Sequence, residues 1–327
     1  ALSCEKSGSQ RENFGVTYDT WKSLPSMFFE IAEQGGNGDF MWKKVAGSYT
    51  PLSWRDTARQ VREMAKGLAA LGVKAGDRVV IAAENRPEWV IADLAIMALG
   101  AISVPAYTTN TTSDHRHVLA DCSAKGAVVS TQALAARLLP AADETTATKF
   151  IVSMEASASD TFDIALYDWT AVMAMGAASE HDLEPGLQQL TRGDIACLIY
   201  TSGTGGNPKG VMLSHGAILI NCHSACELLR LLGLGEEVFL SFLPLSHAYE
   251  HTAGLYFPIS IKAQIYYAES IETLSANLTE ARPTIMVSVP RLYEVMHQRI
   301  VLGLKRQSTL KQSLFNKAVA LGRKDYE

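Results

Sequence analysis

Residues 195–210 read Ile-Ala-Cys-Leu-Ile-Tyr-Thr-Ser-Gly-Thr-Gly-Gly-Asn-Pro-Lys-Gly, an apolar run followed by a turn rich in glycine and hydroxyl side chains. The apolar half predicts a buried β-strand. Glycines let the backbone turn sharply and approach a ligand closely, and successive N–H groups in such a turn form an anion-binding nest. Because Lys209 adds a positive point charge, the segment suits a grip on the phosphates of a nucleotide.

Two common phosphate-binding motifs do not fit this segment. The Walker loop has Gly, four residues and then Gly-Lys-Ser/Thr, but here Pro208 precedes Lys209 and Gly210 follows it. The dinucleotide fingerprint Gly-x-Gly-x-x-Gly, started at Gly203, ends on Pro208 instead of glycine. A glycine-rich turn taken alone is most often an ordinary loop, so the specificity lies in the complete string.

The composition is that of an ordinary globular protein. The 327 residues are 47% hydrophobic and 19% charged, and this length predicts about two domains. The net charge of -5 gives no reason to expect nucleic-acid binding. The chain has no long uncharged apolar run, so we expect no transmembrane helix and a cytoplasmic location. The cysteines are odd in number and irregular in spacing, which favours a reducing compartment over a disulfide framework.

Strands alternate with helices along the chain. The pattern predicts helices at Ser53–Leu71 and Pro87–Leu99, and strands that include Arg78–Ala82 and Thr284–Val289. This alternation indicates an α/β fold with mostly parallel sheets.

The best linker candidate is Met173–Glu184, because it is rich in Gly, Ala and Ser. We therefore expect two α/β subdomains, covering residues 1–180 and 181–327.

The segment Tyr200–Gly210 resembles the phosphate-binding signature of the adenylate-forming superfamily, whose usual form is Tyr-Thr-Ser-Gly-Thr-Thr-Gly-x-Pro-Lys-Gly. Gly205 stands where a second threonine is usual, but backbone N–H donation survives this change. The resemblance extends over residues 50–327. Residues 243–250 (Leu-Pro-Leu-Ser-His-Ala-Tyr-Glu) and 289–294 (Val-Pro-Arg-Leu-Tyr-Glu) resemble the long-chain fatty acyl-CoA synthetase branch, which usually has Arg where this chain has His251.

This resemblance implies that the chain is the N-terminal portion of such an enzyme, with an incomplete second subdomain. The family's later Tyr-Gly-x-Thr-Glu motif, its ribose-binding Asp, its hinge and its small C-terminal domain with a catalytic Lys have no counterpart up to Glu327. The expectation is therefore an N-terminal domain without the C-terminal domain, which by itself is a candidate for an inactive fragment.

The implied activity is that of an acid–thiol ligase, a long-chain fatty acid–CoA ligase. A fatty carboxylate attacks the α-phosphate of ATP to give acyl-AMP and pyrophosphate, and the thiol of CoA then displaces AMP. The resemblance implies ATP and Mg²⁺ as cofactors and CoA as co-substrate, with Thr201 and Thr204 as magnesium ligands and a further Glu ligand beyond Glu327. Lys209 and Thr204 are the implied catalytic residues in this segment. The residues implied to hold the triphosphate are Thr201, Ser202, Gly203, Thr204, Gly205, Gly206 and Lys209.

His247 is the second candidate catalytic residue. It follows the strand-like run Phe239–Leu243, which places it at a strand end. A lone histidine is more often structural, but the resemblance places His247 where acyl chain, adenylate and CoA meet, in a catalytic and substrate-binding role. Glu250 and His251 are weaker candidates for substrate binding, and the alternative for both is a buried polar pair.

Three rival functions stay open at this point. A fatty acyl-AMP ligase would pass its product to a carrier protein instead of CoA. A non-catalytic nucleotide- or acyl-binding module would use the same segment without turnover. A nicotinamide-dependent oxidoreductase is the most distant alternative, because its fingerprint fails.

Residues 299–324 carry basic side chains and no acidic one. Such a segment fits either contact with anionic lipid on the inner face of a membrane or a solvated helix, and we favour the solvated helix. The basic residues are Arg299, Lys305, Arg306, Lys311, Lys317, Arg323 and Lys324.

Overall fold

The computed structural model describes residues 18–155, 162–201, 207–305 and 307–326. The helices are α1 (Leu24–Gly35), α2 (Trp54–Ala70), α3 (Pro87–Ala98), α4 (Thr112–Asp121), α5 (Gln132–Asp143), α6 (Trp169–Ala177), α7 (Glu184–Gln189), α8 (His215–Arg230), α9 (Ala248–Glu250), a π-helix (His251–Tyr256), α10 (Phe257–Ser260), α11 (Leu274–Ala281), α12 (Pro290–Leu304) and α13 (Thr309–Tyr326). The strands are β1 (Asp39–Val45), β2 (Ser48–Ser53), β3 (Arg78–Ala82), β4 (Ile102–Ala106), β5 (Gly126–Val129), β6 (Phe150–Ser153), β7 (Ala165–Asp168), β8 (Ile195–Thr201), β9 (Lys209–Ser214), β10 (Val238–Ser241) and β11 (Gln264–Tyr267).

A seven-stranded sheet has the order β7-β6-β5-β3-β4-β8-β9. Its strands are parallel except for β9, which pairs antiparallel with β8. The central strands β3 and β5 are short apolar runs and are almost entirely buried, as expected where helices cover both faces of a parallel sheet. The predicted α/β fold with mostly parallel sheets is confirmed.

A four-stranded sheet has the order β10-β11-β1-β2. β10, β11 and β1 are parallel, whereas β1 and β2 form an antiparallel hairpin. Ala46 and Gly47 at the hairpin turn both have positive φ, at 49° and 83°, which matches the twist that a tight hairpin requires. The Trp42 and Tyr266 rings stack across the β1–β11 pair.

Both sheets contain strands from either side of residue 180. β1 and β2 join β10 and β11 in the small sheet, and β8 and β9 join the large sheet beside β4. The sheets therefore do not follow the expected division into residues 1–180 and 181–327, which stays a prediction. The compact unit through Met286 contains both sheets, and a second unit from Val287 contains α12 and α13.

The predicted linker at Met173–Glu184 is wrong over its first part, because residues 173–177 belong to α6. The small residues there serve close helix packing. A Cβ added at Gly176 would lie 1.7 Å from the carbonyl oxygen of Glu63, and one at Gly67 would lie 2.3 Å from the carbonyl oxygen of Val172. The glycines thus let α2 and α6 cross in direct backbone contact.

The predicted strand at Thr284–Val289 is also wrong. Within the described residues, this segment forms one isolated bridge, between Ile285 and Phe239. The backbone N–H groups of Thr284 and Ile285 both donate to the carbonyl oxygen of Val238, at 2.9 and 3.2 Å. Two successive donors share one acceptor, which is not the evenly spaced bonding of a parallel ladder.

The helices predicted after Arg291 are present as α12 and α13. Leu310, Leu314 and Leu321 of α13 are exposed. In the described part of the chain, no helix is both long and apolar enough to cross a membrane.

Candidate functional site

The carboxyl ends of the parallel strands define the candidate site. The chain moves from β3 to β4 on one side of β3 and from β5 to β6 on the other, so the strand order reverses between β3 and β5. Open α/β sheets bind ligands at such a reversal, outside the carboxyl ends of the strands. A cavity of about 560 Å³ lies here, lined by residues that follow β3, β5, β10 and β11, including Asn85, Thr131, Pro244 and Ala268.

The phosphate-binding segment begins and ends in the hairpin of β8 and β9. Tyr200 pairs with Gly210 and Thr201 pairs with Lys209, so the hydroxyl and the cation at its two ends lie opposite each other in register. Both Thr201 and Lys209 are exposed. β8 runs parallel to β4, so Thr201 belongs to the same carboxyl edge as the cavity. The other residues predicted to hold phosphate lie outside the described residues: Ser202, Gly203, Thr204, Gly205 and Gly206.

α4 anchors this hairpin from the side. The Tyr200 hydroxyl donates to Asp121 Oδ2 at 2.6 Å, and His117 Nε2 donates to the carbonyl oxygen of Pro208 at 2.8 Å. Burial, followed by the hydrogen bond to Asp121, raises the pKa of Tyr200, so the phenol keeps its proton. A Cβ at Gly210 would lie 3.1 Å from the Tyr200 ring, so glycine allows the two strands to pack closely here. These contacts hold the ends of the phosphate-binding segment at the sheet edge.

His247 lies at the carboxyl end of β10, as predicted, and its side chain is exposed. It is the N-cap of α9, where its Nδ1 accepts a hydrogen bond from the backbone N–H of Tyr249 at 3.2 Å. That bond leaves Nε2 as the nitrogen that can meet a ligand. The geometry is therefore compatible with the predicted substrate contact, which stays a prediction.

Glu250 is buried beneath the loop that carries His247. Its Oε1 accepts a hydrogen bond from the Ser241 hydroxyl at 2.7 Å, and its Oε2 has no partner within the described residues. A Cβ at Gly254 would lie 2.3 Å from the Glu250 carboxyl, so glycine makes room for this group. Burial raises the pKa of Glu250 to about 8, and the carboxyl therefore carries its proton at neutral pH.

His251 is completely buried and belongs to a polar cluster inside the core. Its Nε2 lies 3.0 Å from Asp93 Oδ2, its Nδ1 lies 3.8 Å from Cys197 Sγ, and the Tyr256 hydroxyl donates to the same Asp93 oxygen at 2.5 Å. Burial lowers the pKa of His251, but the Asp93 carboxylate and the Cys197 sulfur outweigh it and raise the pKa to about 10. An imidazolium that donates from both nitrogens fits this surrounding.

Glu250 and His251 therefore each make a buried polar pair, Glu250 with Ser241 and His251 with Asp93. A direct substrate contact by either residue stays a prediction, and their burial favours a role in holding the π-helix. A single turn of π-helix within helical structure is often found at functional sites.

The sequence interpretation missed a polar segment after β3. Glu84, Asn85 and Arg86 follow β3 and the buried Ala83, at the point where the strand order reverses. The Ser130 hydroxyl donates to Glu84, and Arg86 pairs with Glu155 at 2.9 Å. Three polar residues directly after an apolar strand were the available signal.

The structure describes one of the two predicted magnesium ligands. No group of three His, Cys, Asp or Glu side chains in the described ranges could hold a metal ion. Thr201 offers one hydroxyl at the carboxyl edge, and Thr204 lies outside those ranges. A Mg²⁺ ion keeps several waters and commonly binds substrate phosphates, so a single protein hydroxyl is compatible with it.

Comparisons with known proteins agree with this architecture. Residues 29–322 match the family described as AMP-binding enzyme. The long-chain-fatty-acid–CoA ligase FadD15 of Mycobacterium tuberculosis is 30% identical over 275 residues, which cover 84% of this chain and 45% of the relative. The long-chain-fatty-acid–CoA ligase ACSBG2 of Xenopus laevis is 28% identical, over 92% of this chain and 41% of the relative. The chain thus spans less than half the length of these curated relatives.

Solved structures show the same fold. The A-PCP didomain of a carboxylic acid reductase from Segniliparus rugosus, in complex with AMP, superposes with a TM-score of 0.77 at 20% identity, over 93% of this chain and 48% of that one. The N-terminal domain of FACL13 from Mycobacterium tuberculosis superposes with a TM-score of 0.67 at 19% identity, over 85% of this chain and 65% of that one. With the family match covering most of its length, the chain belongs to the AMP-binding enzyme family.

Proposed function

We propose that the protein is an ATP-dependent long-chain fatty acid–CoA ligase. The observation that carries the proposal is the β8–β9 hairpin, which sets Thr201 opposite Lys209 at the carboxyl edge of the large sheet. The family match and the names of the relatives, which are long-chain-fatty-acid–CoA ligases, support it. The chemistry proceeds through acyl-AMP and pyrophosphate, and then through acyl-CoA and AMP.

The residues of the hairpin supply positioning and charge. Transfer of phosphoryl or adenylyl groups relies mainly on alignment and neutralisation of charge, with little covalent chemistry by the protein. The Lys209 ammonium binds the departing pyrophosphate, and the Thr201 hydroxyl binds a phosphate oxygen at the opposite end of the same segment. Mg²⁺, when bound, supplies further positive charge at the phosphates.

His247 contributes at the reacting carboxylate. Its exposed ring stands at the end of β10, and the cap on Tyr249 N–H fixes which nitrogen faces outward. A neutral imidazole in this tautomer donates from Nε2, which suits orientation of a carboxylate oxygen. The Asp93–His251 cluster supports the π-helix that follows the loop.

The direct test is product analysis after incubation with ATP, Mg²⁺, CoA and acids from short to very long chains. The proposal predicts acyl-CoA and AMP, with the largest yield from long acids. Acyl-AMP that accumulates with CoA present, but moves to a carrier protein, would instead support the acyl-AMP ligase. Nucleotide binding without any product would support the non-catalytic module.

A membrane contact is the weaker of two interpretations of residues 299–324. Exposed Leu310 and Leu314 lie beside Lys311 and Lys317 on α13, a combination that can rest on anionic lipid at the inner face of a membrane. A solvated helix explains the same residues. Equal recovery of the protein with anionic and neutral vesicles would remove the membrane interpretation.

A further inference from the structure

The loop that carries His247 has a specific partner in the large sheet. Asn85 follows β3 at the reversal of strand order, and its side chain is half-buried against residues after β10. Its Nδ2 donates to the carbonyl oxygen of Leu243 at 2.6 Å and to Ser241 Oγ at 3.0 Å. The backbone N–H of Leu245 donates to its Oδ1 at 3.0 Å.

This arrangement imitates the pairing of one strand with another. A carboxamide carries donors on one side and an acceptor on the other, as a peptide group does. Asn85 therefore satisfies both the carbonyl of Leu243 and the N–H of Leu245, and Pro244 between them has no N–H to offer. One side chain replaces a ladder step at the point where β10 has ended.

The connection to His247 is short. The backbone N–H of His247 donates to the carbonyl oxygen of Pro244 at 2.9 Å, and Pro244 lies between the two residues whose backbone Asn85 bonds. On the other side, Ser241 Oγ accepts from Asn85 and donates to Glu250, which lies just beyond His247 in sequence. Asn85 thus contacts the loop at both of its sides.

We propose that Asn85 is a positioning residue: it fixes loop 242–247 to the end of β3 and thereby sets where His247 stands at the carboxyl edge. The consequence for turnover rests on the proposed ligase function, whereas the consequence for the loop does not. An aspartate at this position has the same shape but no donors. It would place a carboxylate against the carbonyl of Leu243.

The loop is tested by amide hydrogen exchange of the wild-type protein and of Asn85→Asp and Asn85→Ala. In the wild type, the Leu245 amide should exchange about tenfold more slowly than the Ser246 amide. The net free energy of one hydrogen bond corresponds to roughly a tenfold change in the equilibrium between closed and open loop. Asn85→Ala should lose that protection, because alanine offers no acceptor for the Leu245 N–H. Asn85→Asp keeps an acceptor but loses the donor to the Leu243 carbonyl, so it should lose only part of the protection. Peptides from β3 and β5 should keep theirs in both variants. Asn37→Asp is the matched control, since Asn37 is exposed. Equal rates at Leu245 and Ser246 in the wild type would overturn the proposal even where a variant fails to fold.

The effect on His247 is read from its side-chain NMR resonance, assigned by its loss in His247→Gln. Asn85→Asp should shift or broaden this resonance, and Asn37→Asp should leave it unchanged. An unchanged resonance in a folded Asn85→Asp protein would reject positioning.

Turnover provides the remaining readout, in the longest active form of the protein. Asn85→Asp should lower kcat for adenylation about tenfold with little change in ATP affinity. In a His247→Ala background, the same substitution should lower kcat by less than about a further twofold. Equal losses in both backgrounds would show that Asn85 does not act through His247. A wild type without adenylation would refute the ligase proposal and leave the exchange and resonance results to decide the positioning claim.

Discussion

Replacing Asp93 by Asn should destabilise the protein through the buried cluster around His251. Asp93 Oδ2 accepts from both His251 and Tyr256, and all three side chains are fully buried. Removing one partner of such a pair leaves an uncompensated buried charge, which costs about 3–5 kcal/mol. The same size follows from the pKa of His251, because a rise from 6.5 to about 10 corresponds to about 5 kcal/mol.

The same pair predicts how the free energy of unfolding changes with pH. The pKa of His251 is raised by folding, so its contribution is complete below pH 6.5 and is lost as pH rises through about 10. The free energy of unfolding of the wild type should therefore fall between neutral pH and pH 10. Asp93→Asn should lower stability at neutral pH and flatten that slope.

Urea unfolding, followed by tryptophan fluorescence, measures both effects. Trp89 is a suitable reporter, because its ring lies 5.6 Å from that of His251. Asp19→Asn is the matched control, since Asp19 is exposed, and it should change stability by less than about 0.5 kcal/mol. A loss below about 1 kcal/mol in Asp93→Asn, with the wild-type slope retained, would refute the buried ion pair.

Two further predictions concern stability. Gly176→Ala should destabilise the protein by about 2 kcal/mol or more, because the new Cβ would lie 1.7 Å from the Glu63 carbonyl. The control Gly186→Ala places its Cβ in open space and should be neutral or stabilising in thermal unfolding. Equal melting temperatures of the two variants would contradict the close crossing of α2 and α6. Burial lowers the pKa of His115 and of His215 to about 4. The contribution of each neutral histidine to the free energy of unfolding should therefore be complete above pH 6.5 and fall by about 3 kcal/mol per histidine as pH approaches 4. His115→Gln should flatten that fall in acid titrations of unfolding, and an unchanged profile would contradict the assignment.

Much of the fold could be predicted because its signals are local. β3, β5 and α3 are mostly apolar runs, and each is largely buried as expected. The β1–β2 hairpin was not predicted. Its turn uses Ala46 at positive φ, which is not a hairpin signature, and its partner β11 lies more than two hundred residues away. Such pairing depends on tertiary packing.

In the candidate site too, the features carried by one continuous stretch of sequence were easier to predict than those that join distant residues. Tyr200–Gly210 is one continuous string, so the buried strand that leads into it could be placed from sequence, whereas β9 and its hairpin with β8 were not predicted. The Asp93–His251 pair joins residues far apart in the chain, and Asp93 gives only the weak signal of an acid in the interior of a mostly apolar helix. The sequence interpretation left open that Glu250 or His251 simply makes a buried polar pair, and the structure shows such a pair for each, with Ser241 and with Asp93.

The measurement that tests the central claim most directly is fatty-acid-dependent ATP–pyrophosphate exchange by wild type, Lys209→Ala and the exposed-lysine control Lys22→Ala, with the mass of each protein verified. We predict exchange that peaks with long acids, is lowered roughly a hundredfold or more in Lys209→Ala, and is unchanged in Lys22→Ala. Equal exchange by wild type and Lys209→Ala, or none by folded wild type extended to the length of its relatives, would contradict the account.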